Sequence, residues 1–324
     1  MNDRALWTGL AALGTGLAAV AAWPLIFGRV WLAALFFWSS LPVASLAFCL
    51  MMRLIPGRWA DVLGPAARRG ALSLPAVAIG FVAILLGGAS IYPWVREPLP
   101  GFRGAWLEPA FWMARSLLWF VGLGSILLAT RLLRRVTAIS ATLGLLFFIP
   151  ATSLIAVDWL MSLAPGFHSS GFGLQALAIQ FIVALAVAVL RSPPDPSGTT
   201  GALMLALLVL WGYFAYLPFF IIWSSNPPAG AAWYLARGSG GWGAVAALAA
   251  VLHAVPLLAL LAPSWRRSGS ALKLFALAVL VGNAVQTAWL VLPTSGPVHA
   301  ASLLAYALAL ALLGVPALLI GRRS

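Results

Sequence analysis

Runs of about twenty predominantly apolar residues follow one another along the whole sequence, and their length decides the fold class. A helix of about 20 residues spans the roughly 30 Å hydrocarbon core of a bilayer. Only 8% of the 324 residues are charged, whereas a soluble domain carries about 25%. The sequence therefore predicts an all-α integral membrane protein with one polytopic membrane domain over residues 1–324. Its ten predicted spans are roughly 5–22, 31–53, 71–92, 110–130, 136–160, 172–190, 200–223, 242–262, 271–292 and 298–320.

The basic residues between the runs predict the orientation. If the amino terminus and every second connection share one side, that side holds fourteen basic residues and the other side four. Basic residues concentrate in cytoplasmic loops, so we expect a multi-pass protein of the bacterial inner membrane with both termini cytoplasmic. The fourteen are Arg4, Arg53, Arg58, Arg68, Arg69, Arg131, Arg134, Arg135, Arg191, Arg266, Arg267, Lys273, Arg322 and Arg323; the four are Arg29, Arg96, Arg103 and Arg237. An aromatic belt at the outer interface is predicted from Trp23, Trp94, Trp106, Trp159, Trp223, Trp233 and Trp242.

The first apolar run has two interpretations. Its basic start and the small residues near Ala19–Ala22 fit a secretory signal peptide. A second apolar run follows within ten residues, which favours a retained first helix.

The inventory of metal ligands is short. Cys49 is the only cysteine, which excludes an intrachain disulfide, a Cys-ligated iron–sulfur cluster and a C-x-x-C-H haem attachment. Only one histidine, His253, lies deep in a span, so a membrane haem with two histidine ligands is not expected. We predict no metal site and no covalently bound cofactor; haem and iron–sulfur centres would lie in partner subunits.

Polar residues near 155–173 are the first candidates for chemistry. Asp158 lies near the outer end of the fifth span, and His168 and Ser169 open the sixth. One interpretation is an Asp158–His168 pair that exchanges a proton with a hydroquinone. The other is structural, with the serines capping a helix and the aspartate closing a turn at the wet interface.

Two further titratable residues lie within spans, where an ionisable group is a functional candidate. Arg115 either extends its side chain outwards to the interface or turns inwards as a partner for Asp158. His253 either makes a structural hydrogen bond, to a carbonyl or to Gln286, or relays protons. Asn283 and Gln286 share a helix face and are expected to link helices.

Five segments in order resemble a known family. They are "RLIPGRWADVLGPAARRGALSLP", "IYPWVREP", "WLEPAFWMARSLLWF", "AVDWLMSLAPGFHSSGFG" and "GYFAYLPFFIIWSSNPP". This series resembles the ActF subunit of alternative complex III, a quinol:cytochrome c oxidoreductase, within the NrfD/PsrC-like membrane family. Arg115 and Asp158 match the family's "F..R" and "DW.MSL" segments, and Ala164 stands where the family commonly has an acidic residue.

The resemblance implies two four-helix bundles, spans 2–5 and 6–9, with two flanking helices. It further implies a non-haem subunit of a respiratory electron-transport complex that anchors redox subunits and contributes to quinone interaction or proton translocation. The implied partners are a paralogous membrane subunit, an iron–sulfur subunit, and multihaem and monohaem cytochrome c subunits, with quinone or quinol as the ligand. Asp158, His168, Arg115, His253 and Ser169 would be its quinone or proton residues.

Three other functions remain open at this point. The chain could be a purely structural anchor of that complex, or a subunit of another NrfD-like oxidoreductase. It could also be a stand-alone transporter, although ion-coupled transport usually needs more than one buried acid.

Overall fold

The computed structural model describes residues 3–131 and 136–320. Over these residues the chain forms helices joined by turns and short connections, without strands. The helices are α1 Asp3–Ala22, α2 Pro24–Leu54, α3 Arg58–Ala71, α4 Leu74–Ile91, α5 Pro93–Arg96, α6 Gly101–Trp106, α7 Pro109–Arg131, α8 Ala138–Trp159, α9 Phe172–Arg191, α10 Thr199–Ser225, α11 Pro228–Gly238, α12 Trp242–Ala259, α13 Pro263–Arg267, α14 Gly269–Val291 and α15 Ala300–Ile320, with 3-10 turns at Met161–Leu163 and Leu292–Ser295.

The predicted fold class is confirmed. Within the described residues, nine helices are long and apolar enough to cross a membrane: α2, α4, α7, α8, α9, α10, α12, α14 and α15. The first predicted span is α1, whose apolar stretch Trp7–Ala22 is shorter. It packs against α15 and α4, with Leu13 and Val20 buried. Each of the ten predicted apolar runs therefore corresponds to one helix.

The helices differ from the predicted spans in two places. The second span begins at Pro24 rather than at residue 31, because proline is well suited to the first turn of a helix. The connection after it contains the amphipathic helix α3, whose Leu63 and Ala67 are buried against α2 and α9. A short helix with one apolar face lies stably at the end of a bundle without crossing it.

The helix contacts form the pattern of two four-helix bundles. In the first bundle α2 packs on α4 and α8, and α8 packs on α7; in the second α9 packs on α10 and α14, and α14 packs on α12. The cross-contacts match as well, since α8 touches α9 and α14 touches α2. This correspondence equates α2 with α9 and agrees with the predicted grouping of spans 2–5 and 6–9. The two flanking helices, α1 and α15, pack on each other and on the first bundle.

The first helix of each bundle forms the centre of the molecule. In both α2 and α9, 83% of the residues in the apolar 18-residue stretch that could span the membrane are buried, against 22% in α7, α8, α10 and α12. Two indoles of α2 donate to neighbouring helices, Trp31 to the Gly80 carbonyl at 2.8 Å and Trp38 to the Leu310 carbonyl at 2.7 Å. At Gly16 of α1 a Cβ would lie 2.0 Å from the Trp31 ring, so glycine is required for this close approach.

Two contacts agree with the prediction that most basic residues lie at the same end of the spanning helices. Arg58 of α3 lies 3.5 Å from Asp195, in the connection before α10. Arg191, at the end of α9, donates to the Leu318 carbonyl near the end of α15. The side chains of Arg4 and Arg131, and all of Arg134, Arg135, Arg322 and Arg323, lie outside the described part of the structure. Which compartment this basic end faces stays a prediction.

Candidate functional site

A buried ion pair lies where α7 and α8 meet. The Asp158 side chain, one residue before the end of α8, is fully buried, and the Arg115 side chain from α7 is 12% exposed. Arg115 donates from Nε to Oδ2 at 2.8 Å and from Nη2 to Oδ1 at 3.1 Å. Two parallel charge-assisted hydrogen bonds make this a strong and directional pair. Of the two interpretations of Arg115, the inward partner is confirmed and the outward extension is wrong.

Trp106, the last residue of α6, contacts both charges. Its indole Nε1 donates to Asp158 Oδ1 at 2.8 Å, and its carbonyl accepts from Arg115 Nη2 at 2.8 Å. The guanidinium also lies over the Trp106 and Phe111 rings, at 4.1 and 4.3 Å from their centroids. Arg115 Nη1 is buried and has no hydrogen-bond partner among the described residues. The pair is therefore well supported but retains one unsatisfied donor.

The carbonyls at the end of α8 are satisfied by side chains. The last carbonyls of a helix have no partner within it. Here the Asp158 carbonyl accepts from Ser162 Oγ at 2.6 Å and from Trp112 Nε1 at 3.1 Å, and the Trp159 carbonyl accepts from the Tyr92 hydroxyl at 3.2 Å. These bonds join the end of α8 to α7 and to the α4–α5 junction. The position of Asp158 is thus fixed by its main chain as well as by its carboxylate.

The aromatic-belt prediction holds only in part. Trp23 and Trp223 are 58% and 70% exposed, as interfacial side chains would be. Four of the seven tryptophans are instead buried in the protein: Trp94, Trp159, Trp233 and Trp242. A buried indole N–H usually has an acceptor, and two of these, Trp159 and Trp242, donate to Ser116 Oγ and to the Gly296 carbonyl. Much of the outer tryptophan cluster is therefore core rather than lipid-facing.

The predicted Asp158–His168 pair is wrong. Both carboxylate oxygens of Asp158 are bonded to Arg115 and Trp106, and His168 is exposed. The reason lies between them, where the 3-10 turn Met161–Leu163 leads to Phe167. That ring is buried and stacks on Trp233 of the second bundle at 4.2 Å. Anchoring Phe167 there leaves His168 at the surface.

The capping role predicted for Ser169 is also wrong. α9 begins at Phe172, its N-cap is Gly171, and no side chain caps it. Ser169 contributes its main-chain carbonyl, which accepts from the Phe172 N–H at 3.2 Å.

His168 lines a small pocket at the end of the molecule opposite the basic end. The pocket has a volume of about 120 Å³ and apolar walls that include Leu99 and Phe102, with Arg103 and Trp106 beside the imidazole. Partial desolvation, and then the positive charge of Arg103, lower the pKa of His168 below its ordinary value. The imidazole is accordingly neutral at neutral pH and able to accept a proton. Because Trp106 lines this pocket and binds Asp158, one indole connects the pocket to the ion pair.

The predicted residues deep in the second bundle form a separate cluster. His253 is fully buried, its Nδ1 bonds the Ala249 carbonyl at 2.7 Å, and its ring stacks on Trp211 at 4.0 Å. This confirms the structural hydrogen bond to a carbonyl. Gln286 links helices as predicted, accepting from Trp211 Nε1 at 2.7 Å. Asn283 also donates to the Val279 carbonyl of its own helix. His253 Nε2 has no partner among the described residues.

Arg237 is a buried cation that sequence reasoning treated only as a loop charge. It is 3% exposed, donates from Nη2 to the Leu290 carbonyl at 2.8 Å, and lies 3.6 Å from the Trp233 ring centroid. Burial lowers its pKa to about 9. Leu290 is in the last turn of α14, where the helix dipole attracts a cation. The only signal in the sequence was a basic residue on the side where such residues are scarce.

Asp195 was likewise missed. Its oxygens accept from the Ser197 hydroxyl at 2.6 Å and from the Thr200 N–H at 2.9 Å. Burial by itself raises the pKa of the Asp195 carboxyl, but the hydrogen bonds from Ser197 and Thr200 outweigh it and leave the pKa below its ordinary value. The Asp195 carboxylate therefore caps the first turn of α10. The aspartate followed by serine and threonine in "PDPSGTT" is a signal for such a cap.

Among the residues described, no group of three or more His, Cys, Asp and Glu side chains is arranged to hold a metal ion. Neither a protein-family model nor a curated protein matches this sequence. The family resemblance therefore stays a prediction, and the site rests on its own geometry.

Proposed function

We propose that this protein is a non-haem membrane subunit of a respiratory quinol-oxidising complex and contributes an outer quinol site. The observation that carries the proposal is the connection from the His168 pocket through Trp106 to the buried Arg115–Asp158 pair. Anchoring of redox subunits and proton translocation, which the resemblance implies, belong to the same proposal.

The residues around the pocket fit one end of a quinol. Complete ligand pockets are about 300–1,000 Å³, so a pocket of about 120 Å³ accommodates at most the head ring, with the tail in the bilayer. Its walls are apolar, while His168 and Arg103 supply polar contacts. The unpartnered Nη1 of Arg115 is a further donor at the adjoining pair.

A bound quinol supplies two electrons and two protons on oxidation. In this chain, neutral His168 accepts the proton of one quinol hydroxyl at a ring nitrogen, and its exposure allows that proton to leave towards water. The proton of the other hydroxyl passes directly to water. Arg115 keeps Asp158 charged and holds Trp106 in place. The electrons pass to centres in partner subunits, which we propose to be the iron–sulfur and cytochrome c subunits of such a complex.

The proposal is tested by quinol oxidation in the complex assembled with His168→Ala. General acid–base groups contribute about 10²–10⁴-fold to rate, so we expect kcat/KM for quinol to fall by about a hundredfold. His299→Ala is the matched control, since His299 is also exposed and lies at the predicted outer start of the last span. Equal turnover of the two variants would refute the quinol site.

A structural anchor is the second candidate, because both oxygens of Asp158 are already saturated by Arg115 and Trp106. In that case Asp158→Asn would reduce the amount of assembled complex and leave turnover per complex unchanged. Measuring haem content and turnover on the same preparation separates the two functions.

A further inference from the structure

A second cleft lies at the opposite, basic end of the molecule. Its volume is about 510 Å³, and it opens between the ends of α2 and α7 and the amphipathic helix α3. It is independent of the quinol site, whose residues lie at the other end of α7 and α8. Nothing in the proposed function uses this cleft.

Two arginines of the cleft present positive charge at the membrane surface. Arg53 is the penultimate residue of α2 and Arg68 is in the last turn of α3, and both are exposed. The Arg68 side chain runs back along its own helix to Gly64. A Cβ placed on Gly64 would lie 3.1 Å from Arg68 Nη1 and 3.7 Å from Met52 Sδ. The charge is thereby held against the floor of the cleft.

The remaining walls are suited to an amphiphile. Cys49, Met52 and Leu127 line the cleft on the side of the spanning helices, in position to contact an acyl chain. Asp61 also lines it, so among the described lining residues two arginines and one aspartate give a net charge of +1, and the aspartate is an acceptor for a hydroxyl donor. A phosphate joined to a hydroxyl-bearing headgroup and an acyl chain matches each of these features.

We propose that this cleft binds one anionic phospholipid, with its phosphate between Arg53 and Arg68 and an acyl chain along α2 and α7. Basic pockets between spanning helices at the cytoplasmic side are suited to anionic headgroups. The site sits at the end of the molecule where the basic residues collect, next to the leaflet surface that carries negative charge. Asp61 favours a glycerol headgroup over a simple phosphate.

Cys49 gives a direct assay, because the only cysteine of the sequence lines the cleft and is half-buried. The protein is placed in nanodiscs of phosphatidylcholine with increasing phosphatidylglycerol, and the rate of modification by an uncharged maleimide is measured. We expect phosphatidylglycerol to slow the modification in a saturable manner.

The variant Arg53→Gln/Arg68→Gln should need much more phosphatidylglycerol for the same protection. Each arginine near an anionic surface contributes roughly fivefold to affinity, or about 25-fold for both. Arg267→Gln/Lys273→Gln removes the same charge from exposed positions outside the cleft, and should shift half-protection by no more than about twofold. If the first double variant does not fold, the wild-type titration and Arg68→Gln alone carry the test.

Two results would overturn the proposal. Modification at the same rate in both lipids would show that no lipid occupies the cleft. Protection by inorganic phosphate in pure phosphatidylcholine, equal to that by phosphatidylglycerol, would assign the site to a small anion instead.

Discussion

The Arg115–Asp158 pair predicts a strong asymmetry between single and double substitutions. Removing one partner of a buried pair leaves an uncompensated charge and costs about 3–5 kcal/mol, whereas removing both is often nearly neutral. Asp158→Asn leaves Arg115 with 12% exposure and two aromatic rings, so we expect the lower end, about 3 kcal/mol. Arg115→Met leaves a fully buried carboxylate with only the Trp106 indole, and we expect about 4 kcal/mol.

The double variant Asp158→Asn/Arg115→Met should cost about 2 kcal/mol, less than either single variant, because no unpaired buried charge remains. The coupling energy is then about 5 kcal/mol (about 3 plus about 4, minus about 2), above the usual range for residues in contact because each single variant leaves a buried charge unpaired. Equilibrium unfolding in mixed micelles, followed by near-ultraviolet circular dichroism, measures all three variants. Arg103→Gln is the control and should stay within about 0.5 kcal/mol, since its bond to the Pro165 carbonyl is exposed. Additive single effects, or Asp158→Asn indistinguishable from wild type, would refute the reasoning.

Three further predictions concern single residues. Asp195→Asn should lower the free energy of unfolding at neutral pH by about 1 kcal/mol through the weakened cap. Because the folded pKa of Asp195 is lowered, its contribution is present above the unfolded pKa and is lost as the pH falls through the folded pKa; the free energies of unfolding of wild type and Asp195→Asn should therefore differ at neutral pH and converge at acid pH. Arg58→Gln should cost less than about 0.5 kcal/mol, because the Arg58 side chain is 61% exposed and water screens its ion pair. Arg237→Ala should lower the free energy of unfolding by about 2–4 kcal/mol, because the hydrogen bond to Leu290 and the stacking on Trp233 are lost. Arg237→Lys should recover less than half of that free energy, because one ammonium cannot make both contacts. Full recovery in the unfolding assay would contradict this. His168 should titrate below its ordinary pKa, and Arg103→Gln should move that pKa partly upwards, with burial retaining the rest; a histidine NMR titration that finds no change on removing Arg103 would exclude the charge as a cause.

The parts of the fold that depend on local composition could be predicted from the sequence. Runs of apolar residues set the helices to within a few positions, except at the start of α2, where Pro24 extends the helix beyond the predicted span. The sequence offers two alternatives for Arg115, and pairing with Asp158 is one of them. This pairing could be predicted because Arg115 and Asp158 have opposite charges and lie at similar depth in two neighbouring predicted spans.

The parts that depend on the connections could not be predicted. The separation of His168 from Asp158 follows from one 3-10 turn and from the stacking of Phe167 on a tryptophan of the second bundle, a contact between residues distant in sequence. The burial of Arg237 likewise depends on where α11 packs against the end of α14. Neither contact can be inferred from the composition of the segments involved.

Isolation of the tagged protein from its native membrane in a mild detergent tests the central claim most directly. A quinol-oxidising subunit should be recovered with an iron–sulfur protein, a paralogous membrane protein and cytochrome c subunits that stain for haem, identified by mass spectrometry. Recovery of this chain alone, without haem or any redox partner, would contradict the account and favour a stand-alone transporter.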